Sequence, residues 1–217
     1  MDYNAMDSFE IKYKNGNIYK GSVKVRVILG KIEKIREGYG QMFYSNGAKF
    51  QGEYSNDKIN GFGVYISKEG RVVYEGYFKN GKRDGIGIYY CEDGSKYKGE
   101  WANNFKNGVG VYEFNDDSRY MGEFKNDIRD GCGIIYGNNS EKYEGEWMKD
   151  QGNGIGTYYY NKGEIYVGYW KNALRDGVGK LTTEDGTVIL GEWRSGVLDE
   201  GTKKEEKKHK DKNCNIF

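Results

Sequence analysis

The chain has 217 residues, of which 34 are glycine and none is proline, and its formal net charge at pH 7 is +1. A net charge this close to zero excludes the strongly basic field with which many proteins attract nucleic acid. The single histidine, His209, lies in a charged tail, which argues against Ser-His-Asp triads and histidine-based zinc sites.

An aromatic-x-Gly motif recurs along the chain and is followed each time by a Gly-x-Gly pair. A fixed spacing of this kind predicts a repeat architecture. The last six motif starts are 23 residues apart. The motifs begin at Tyr19, Phe50, Tyr74, Tyr97, Tyr120, Tyr143 and Tyr166, with a degenerate copy at Ile189.

Within one repeat, Tyr97, Gly99 and Trp101 alternate with Lys98 and Glu100. A period of two predicts β-strands, and the Asn-Gly and Asp-Gly dipeptides between them favour tight turns. Each repeat is therefore predicted to be a two-stranded hairpin whose aromatic residues form the core. The predicted core residues are Tyr74, Tyr97, Trp101, Tyr120, Tyr143, Trp147, Tyr166 and Trp170.

The unit Tyr-x-Gly-x-Trp, a loop, Gly-x-Gly and a turn resembles the MORN family (membrane occupation and recognition nexus). The resemblance covers residues 8–201, with residues 1–7 as an N-terminal extension and residues 202–217 as a disordered tail. It implies an all-β fold: an elongated single-layer antiparallel sheet of about eight MORN-type hairpins. Family members often work at cell cortices, cytoskeletal assemblies and flagella, and several form extended dimers.

The first repeat is longer than the others, and alternation through residues 23–36 predicts a protruding hairpin. This hairpin is rich in basic residues, which either bind an acidic partner or form a solvated strand face. The basic residues are Lys24, Arg26, Lys31, Lys34 and Arg36.

Some positions also recur with a longer period, once in every two repeats. An Arg-Asp pair begins at Arg83, Arg129 and Arg175, and these positions are 46 residues apart. The pattern indicates either duplication of a two-repeat unit or a way to adjust the curvature of the sheet, and common ancestry is the simpler explanation.

The central residue of every Gly-x-Gly pair is uncharged, and the residue two positions later shares its face of the strand. A single-layer sheet has no second layer to cover both faces, so an apolar stripe here is a candidate protein interface. Alternatively, neighbouring long side chains cover the stripe. The candidates are Phe62, Val64, Ile86, Ile88, Val109, Val111, Cys132, Ile134 and Ile155.

The last four residues, beginning with Cys214, resemble a C-a-a-X prenylation signal. A single prenyl chain anchors weakly, and a basic segment supplies a second signal. We therefore predict lipidation at Cys214 and a membrane tether, the alternative being a solvated polar tail. The upstream lysines are Lys203, Lys204, Lys207, Lys208, Lys210 and Lys212.

The three cysteines, Cys91, Cys132 and Cys214, are widely spaced and form no metal-ligand or disulfide pattern. This is typical of a reducing compartment, and the N-terminus shows no secretory signal. We expect a cytoplasmic protein without metal or cofactor, at the cell cortex or cytoskeleton or on a membrane surface.

Carboxylates recur at one repeat position, including Glu53, Glu100, Glu123, Glu146 and Glu192, which is typical of a structural role. We therefore predict no enzyme but a scaffold or adaptor that binds a protein partner or a second copy of itself, and no nucleic acid. The alternatives are a phosphoinositide-binding module and an accessory subunit of an enzyme.

Overall fold

The computed structural model describes residues 9–28 and 30–207, which belong to two compact units, residues 1–115 and residues 116–217. The described residues form strands and turns, and they include no helix that would be able to cross a membrane. The described strand pairs are antiparallel, and consecutive strands form hairpins. The all-β fold of antiparallel hairpin repeats predicted from the sequence is confirmed.

The first unit is a sheet whose strands pair in chain order. Its strands are β1 (Phe9–Lys12), β2 (Ile18–Ile28), β3 (Lys31–Phe43), β4 (Lys49–Ser55), β5 (Lys58–Ile66), β6 (Val72–Lys79), β7 (Lys82–Tyr90), β8 (Lys96–Ala102) and β9 (Phe105–Glu113). The hairpin of β2 and β3 is the longest, and its ladder continues from Val23 opposite Arg36 to Ile28 opposite Lys31.

The second unit repeats this arrangement. Its strands are β10 (Arg119–Lys125), β11 (Ile128–Tyr136), β12 (Lys142–Met148), β13 (Gln151–Tyr159), β14 (Ile165–Lys171), β15 (Leu174–Thr182), β16 (Val188–Arg194), β17 (Val197–Leu198) and β18 (Lys204–Glu206). Strands β10 to β16 pair in chain order, and β16 then pairs with both β17 and β18.

The beginning of the predicted disordered tail differs from the expectation. Lys204 lies opposite Leu190 and Glu206 lies opposite Val188, so β18 adds a short strand to β16. This pairing provides partners for backbone groups at the edge of β16 that would otherwise depend on water. Residues 1–7 and 208–217, with Cys214 and the lysines at 208, 210 and 212, lie outside the described residues.

Aromatic rings stack along one face of each sheet. In the second unit the Tyr120 ring meets the edges of Phe124 and Trp147, with ring centroids 5.2 Å apart in both pairs. Tyr120 also lies over a glycine, because a Cβ on Gly133 would be 2.3 Å from its hydroxyl oxygen. The motif therefore needs glycine for close packing beneath the ring. All eight predicted core residues lie on this face and are at most 8% exposed.

The tyrosine hydroxyls on the aromatic face hydrogen-bond to the backbone. Tyr120 donates to the carbonyl of Glu123 over 3.0 Å, and Tyr74 donates to the carbonyl of Tyr77 over 3.1 Å. Burial raises the pKa of Tyr74 to about 12. The hydroxyl therefore stays protonated near neutral pH and remains a donor.

The Arg-Asp pairs join consecutive hairpins. The Arg129 guanidinium lies 4.4 Å from the ring centroid of Trp147 and donates to the Asp150 carboxylate over 2.9 Å. The neighbouring Asp130 carboxylate accepts a hydrogen bond of 3.4 Å from the backbone N–H of Lys149. The pair thus holds the turn of the next hairpin. In an intervening repeat Asn153 replaces the aspartate and accepts a hydrogen bond of 3.3 Å from the N–H of Asn172, so this turn contact does not itself depend on the two-repeat period.

Candidate interaction surface

Exposed apolar side chains form a row on the sheet face opposite the aromatic rings. We call it the outer row; in the first unit it consists of Phe62, Tyr77, Ile86 and Val109, whose side chains are between 44% and 60% exposed. Phe62 lies directly opposite Tyr77, and the two rings meet edge to face with centroids 5.7 Å apart. This pair makes a compact aromatic surface that no second layer covers within the described part of its unit.

The second unit has an equivalent outer row of Cys132, Ile155, Tyr169 and Val178, all of which are exposed. Ile155 lies directly opposite Tyr169 in the ladder between β13 and β14. The aromatic-aliphatic pair repeats the arrangement of the first unit, because the repeat places the same strand positions on the same face.

Glutamates beside the outer row are bound to the backbone. Glu100 accepts a hydrogen bond of 3.1 Å from the N–H of Val109, and Glu146 accepts one of 3.2 Å from the N–H of Ile155. Both glutamates lie at a shift in the pairing register of two strands; for Glu100 this shift is between Gly99 and Trp101. Carboxylates at this position therefore satisfy amides at an irregularity of the strands, which is a structural role.

The nine interface candidates from the sequence divide into two groups. Phe62, Ile86, Val109, Cys132 and Ile155 are exposed, whereas the four residues two positions further along the strands are half-buried. These four have long side chains as direct cross-strand neighbours, and they fit the alternative of a covered stripe. They are Val64 opposite Glu75, Ile88 and Val111 opposite Lys98, and Ile134 opposite Glu144.

Sequence reasoning missed Tyr77 and Tyr169, which lie on the outer row. The signal was present, because both replace the glutamate that other repeats carry at this position, such as Glu100 and Glu146. An aromatic residue in place of a recurring carboxylate removes charge from the exposed face and adds apolar area to it.

Cations of the chain itself cover the aromatic face. The Arg83 guanidinium lies 4.1 Å from the centroid of Trp101, and the Lys106 ammonium lies 4.8 Å from the centroid of Tyr112. Stacked cations of this kind shield the rings from water and interact favourably with them. Among the described residues the outer row has no comparable cover, and it is the more accessible apolar surface.

The basic residues of the first hairpin do not share one face. Lys24, Arg26 and Lys31 lie on one side of the hairpin, and Arg26 is opposite Glu33. Lys34 lies on the other side, 4.6 Å from the Phe9 ring. Arg36 shares the side of Lys34 and binds the Asp57 carboxylate over 3.2 Å.

The described residues contain no group of three or more His, Cys, Asp or Glu side chains with the arrangement of a metal site. Cys132 is exposed, and the Cys91 sulfur lies 3.7 Å from the Tyr112 hydroxyl. Both thiols are free in the structure.

One similarity to a solved structure agrees with this fold. The G-box domain of the microcephaly protein CPAP aligns with 93% of this chain and 99% of its own, at 13% identity and a TM-score of 0.52. A SAS-4 (dCPAP) TCP domain from Drosophila melanogaster, bound to a proline-rich motif of Ana2, aligns with 78% and 90% at 15% identity and a TM-score of 0.34. At 13% identity the first similarity indicates a shared fold and nothing about function. The TM-score of the second is too low to support a structural conclusion.

A search of curated proteins gave no match. The sequence profile of the MORN repeat, in contrast, matches seven segments that together make up more than half of the chain. They are residues 33–49, 50–70, 74–96, 97–119, 120–141, 143–165 and 166–188. With the hairpins and the aromatic-glycine packing described above, these matches show that the chain belongs to the MORN repeat family.

Proposed function

We propose that this protein is a non-catalytic scaffold that binds another protein through the outer row. MORN repeats are consistent with such a scaffold, and the observation that carries the proposal is the exposure of Phe62, Tyr77, Ile86 and Val109 on one face. Exposed apolar patches of this kind usually mark interaction sites. The Phe62–Tyr77 pair supplies rigid aromatic area, and buried aromatic residues contribute most to many interfaces.

Charge favours a protein partner over a lipid surface. Glu53 and Glu100 are exposed on the same face as the outer row, opposite Tyr39 and Ile86. Lys98 is exposed on this face too, so among the described residues the face carries mixed charges and lacks the cluster of cations that anionic headgroups require, whereas a protein surface offers donors and acceptors that match it. The same charges argue against nucleic acid as a ligand.

The alternative of phosphoinositide binding has less support. Polyanionic headgroups are bound by clusters of cations, and the first hairpin divides its basic residues between two faces. Arg36 is moreover engaged by Asp57. An accessory role beside an enzyme is a special case of the proposed scaffold, since it would use the same surface.

Charged substitutions on the outer row test the proposal. We expect Ile86→Glu and Val109→Glu, alone and combined, to weaken association by about tenfold or more, because each buries an unpaired charge in the interface. Sedimentation velocity measures association with a second copy, and capture from native cells followed by mass spectrometry measures association with other proteins.

Val27→Glu is the matched control, since Val27 is an exposed apolar residue at the end of the first hairpin and lies outside the outer row. It should leave association unchanged, and circular dichroism should show that all variants are folded. A wild type that is monomeric at high micromolar concentration, together with variants that capture the same proteins, would contradict the proposal.

The proposal extends to location. We place the scaffold in the cytoplasm, at the cortical cytoskeleton, with a membrane tether at Cys214, whose prenylation stays a prediction. Cys214→Ser should release the tagged full chain into the cytosol, because each buried CH₂ of a prenyl group contributes about 0.8 kcal/mol of membrane affinity. Mass spectrometry that finds a free thiol at Cys214 in the native cell would exclude the tether.

A further inference from the structure

A cavity of about 240 Å³ lies on the aromatic face near the beginning of the chain. It is distinct from the outer row, which is on the opposite face. Such a volume is smaller than the pockets of drug-sized ligands but holds more than a few water molecules. The cavity is lined by Tyr13, Asn15, Asn17, Arg36, Met42, Tyr44, Tyr54 and Ile59.

Tyr54 in the wall of this cavity has a buried hydroxyl without a hydrogen-bond partner among the described residues. Its side chain is 2% exposed, and its position in the repeat is the one occupied by Trp101 and Trp147 in later hairpins. Those indoles donate to a glycine carbonyl, as Trp147 does to Gly133 over 3.1 Å. Leaving a buried polar group unpaired is unfavourable, so the site gains free energy from a ligand that supplies a partner.

The walls of the cavity favour an aromatic ring. The lining includes the aromatic residues Tyr13 and Tyr44 and the thioether residue Met42, and the Arg36 guanidinium lies 5.0 Å from the Tyr54 centroid. Aromatic, thioether and guanidinium groups all interact favourably with an inserted ring. The Tyr54 hydroxyl is covered in the unliganded chain, so the proposed binding requires the flanking side chains to shift, as side chains commonly do when interfaces form.

A larger cavity of about 600 Å³ adjoins the first and shares Tyr13 and Arg36 with it. Ile11, Ile32, Lys34 and Asp57 complete its lining. The Asp57 carboxylate is held by Arg36 over 3.2 Å, so the ammonium of Lys34 leaves the region with a net positive charge. A residue that flanks the inserted ring is therefore favoured when it carries a carboxylate.

We propose that these two cavities bind a short acidic peptide segment of a partner protein, with an aromatic side chain inserted beside Tyr54 and a carboxylate next to Lys34. This site goes beyond the scaffold surface proposed above, because it uses the other face of the sheet and does not depend on the outer row. Asn15 and Asn17 also line the cavity, and their side-chain oxygens already accept hydrogen bonds from the backbone N–H groups of Asn17 and Ser45, so it is their amide NH₂ groups that would donate to the peptide carbonyls.

The test is a titration of the full chain, ¹³C-labelled at methionine and isoleucine methyl groups, with a blocked Glu-Trp-Glu peptide. We expect NMR shifts at the methyls of Met42 and Ile59. The exposed methyls of Met121 and Met148 in the second unit serve as internal controls and should not move. Peptides with leucine in place of tryptophan, or lysine in place of both glutamates, should bind about tenfold more weakly.

Two variants test the role of the unpaired hydroxyl. Tyr54→Phe should weaken binding about tenfold, which corresponds to one hydrogen bond, and Tyr54→Trp should abolish it by filling the cavity with the indole of the later hairpins. Ile86→Glu, on the outer row, should leave peptide binding unchanged. A failure of the scaffold proposal would therefore not affect this result.

The proposal is overturned if Met42 and Ile59 do not respond at millimolar peptide, or if the leucine peptide binds as tightly as the tryptophan peptide. Equal affinity of N-acetyltryptophanamide would also overturn it, because the site would then take a small aromatic molecule and not a peptide. Unchanged binding by both folded Tyr54 variants would exclude this cavity as the site.

Discussion

Replacing Trp147 with alanine is expected to lower the free energy of unfolding by about 3–5 kcal/mol. The indole is buried between Tyr120 and Tyr143, with ring centroids 5.2 Å and 5.3 Å away, and it donates to the carbonyl of Gly133. Its removal leaves a cavity, deletes this hydrogen bond and takes away one of the two rings that the Arg129 guanidinium contacts. Urea denaturation followed by circular dichroism measures the loss.

Two controls belong to this measurement. Trp147→Phe should cost about 1–2 kcal/mol, since phenylalanine occupies the same repeat position at Phe78 and Phe124 but cannot donate the hydrogen bond. Met148→Ala, at an exposed neighbour, should change the free energy by no more than about 0.5 kcal/mol. A loss of under about 1 kcal/mol for Trp147→Ala would show that the ring does not belong to the core.

The second large effect is expected at a glycine under a tyrosine ring. A Cβ on Gly133 would lie 2.3 Å from the hydroxyl oxygen and 2.5 Å from Cζ of Tyr120. That ring is fully buried and held by its hydrogen bond to Glu123, so it cannot move away at low cost. Gly133→Ala should therefore lower the free energy of unfolding by about 3 kcal/mol through overpacking.

Gly163→Ala is the control that distinguishes the effect of close packing at Gly133 from the effect of backbone strain. Gly163 has a φ of +90°, and a Cβ added there would have no neighbouring heavy atom within 4 Å, so alanine meets strain but no steric contact. It should cost about 1–2 kcal/mol. The explanation by close packing is contradicted if Gly163→Ala is the more destabilising of the two.

The local features of this fold followed from the sequence. The alternation of Tyr97, Gly99 and Trp101 predicted the strand and the face that is buried, and the structure places all three as buried. The turns between repeats were predictable as well: the glycines of the Asn46-Gly47 and Asp93-Gly94 dipeptides both have positive φ. Each of these features depends on residues within a few positions of one another, and the sequence contains that information directly.

The details of the candidate surfaces depended on cross-strand neighbours. Tyr77 belongs to the outer row because the ladder places it opposite Phe62, and Val64 is half-buried because it lies opposite Glu75. The basic residues of the first hairpin likewise appear as one cluster in the sequence, but the hairpin distributes them over two faces. Successive side chains of a strand point to opposite faces of the sheet. A side chain can therefore be assigned to a face only when the strand register and the positions of its bulges are known.

The repeat family, the hairpin and the aromatic core follow from the order of the amino acids alone, because all three are set by short motifs at a fixed spacing. Three other features became visible in the folded chain: which apolar residues are exposed, that Lys204 to Glu206 pair with β16, and that the Tyr54 hydroxyl is buried without a partner in the described part of the chain. Exposure, edge pairing and hydrogen-bond satisfaction depend on atoms contributed by other strands, and no local motif specifies them.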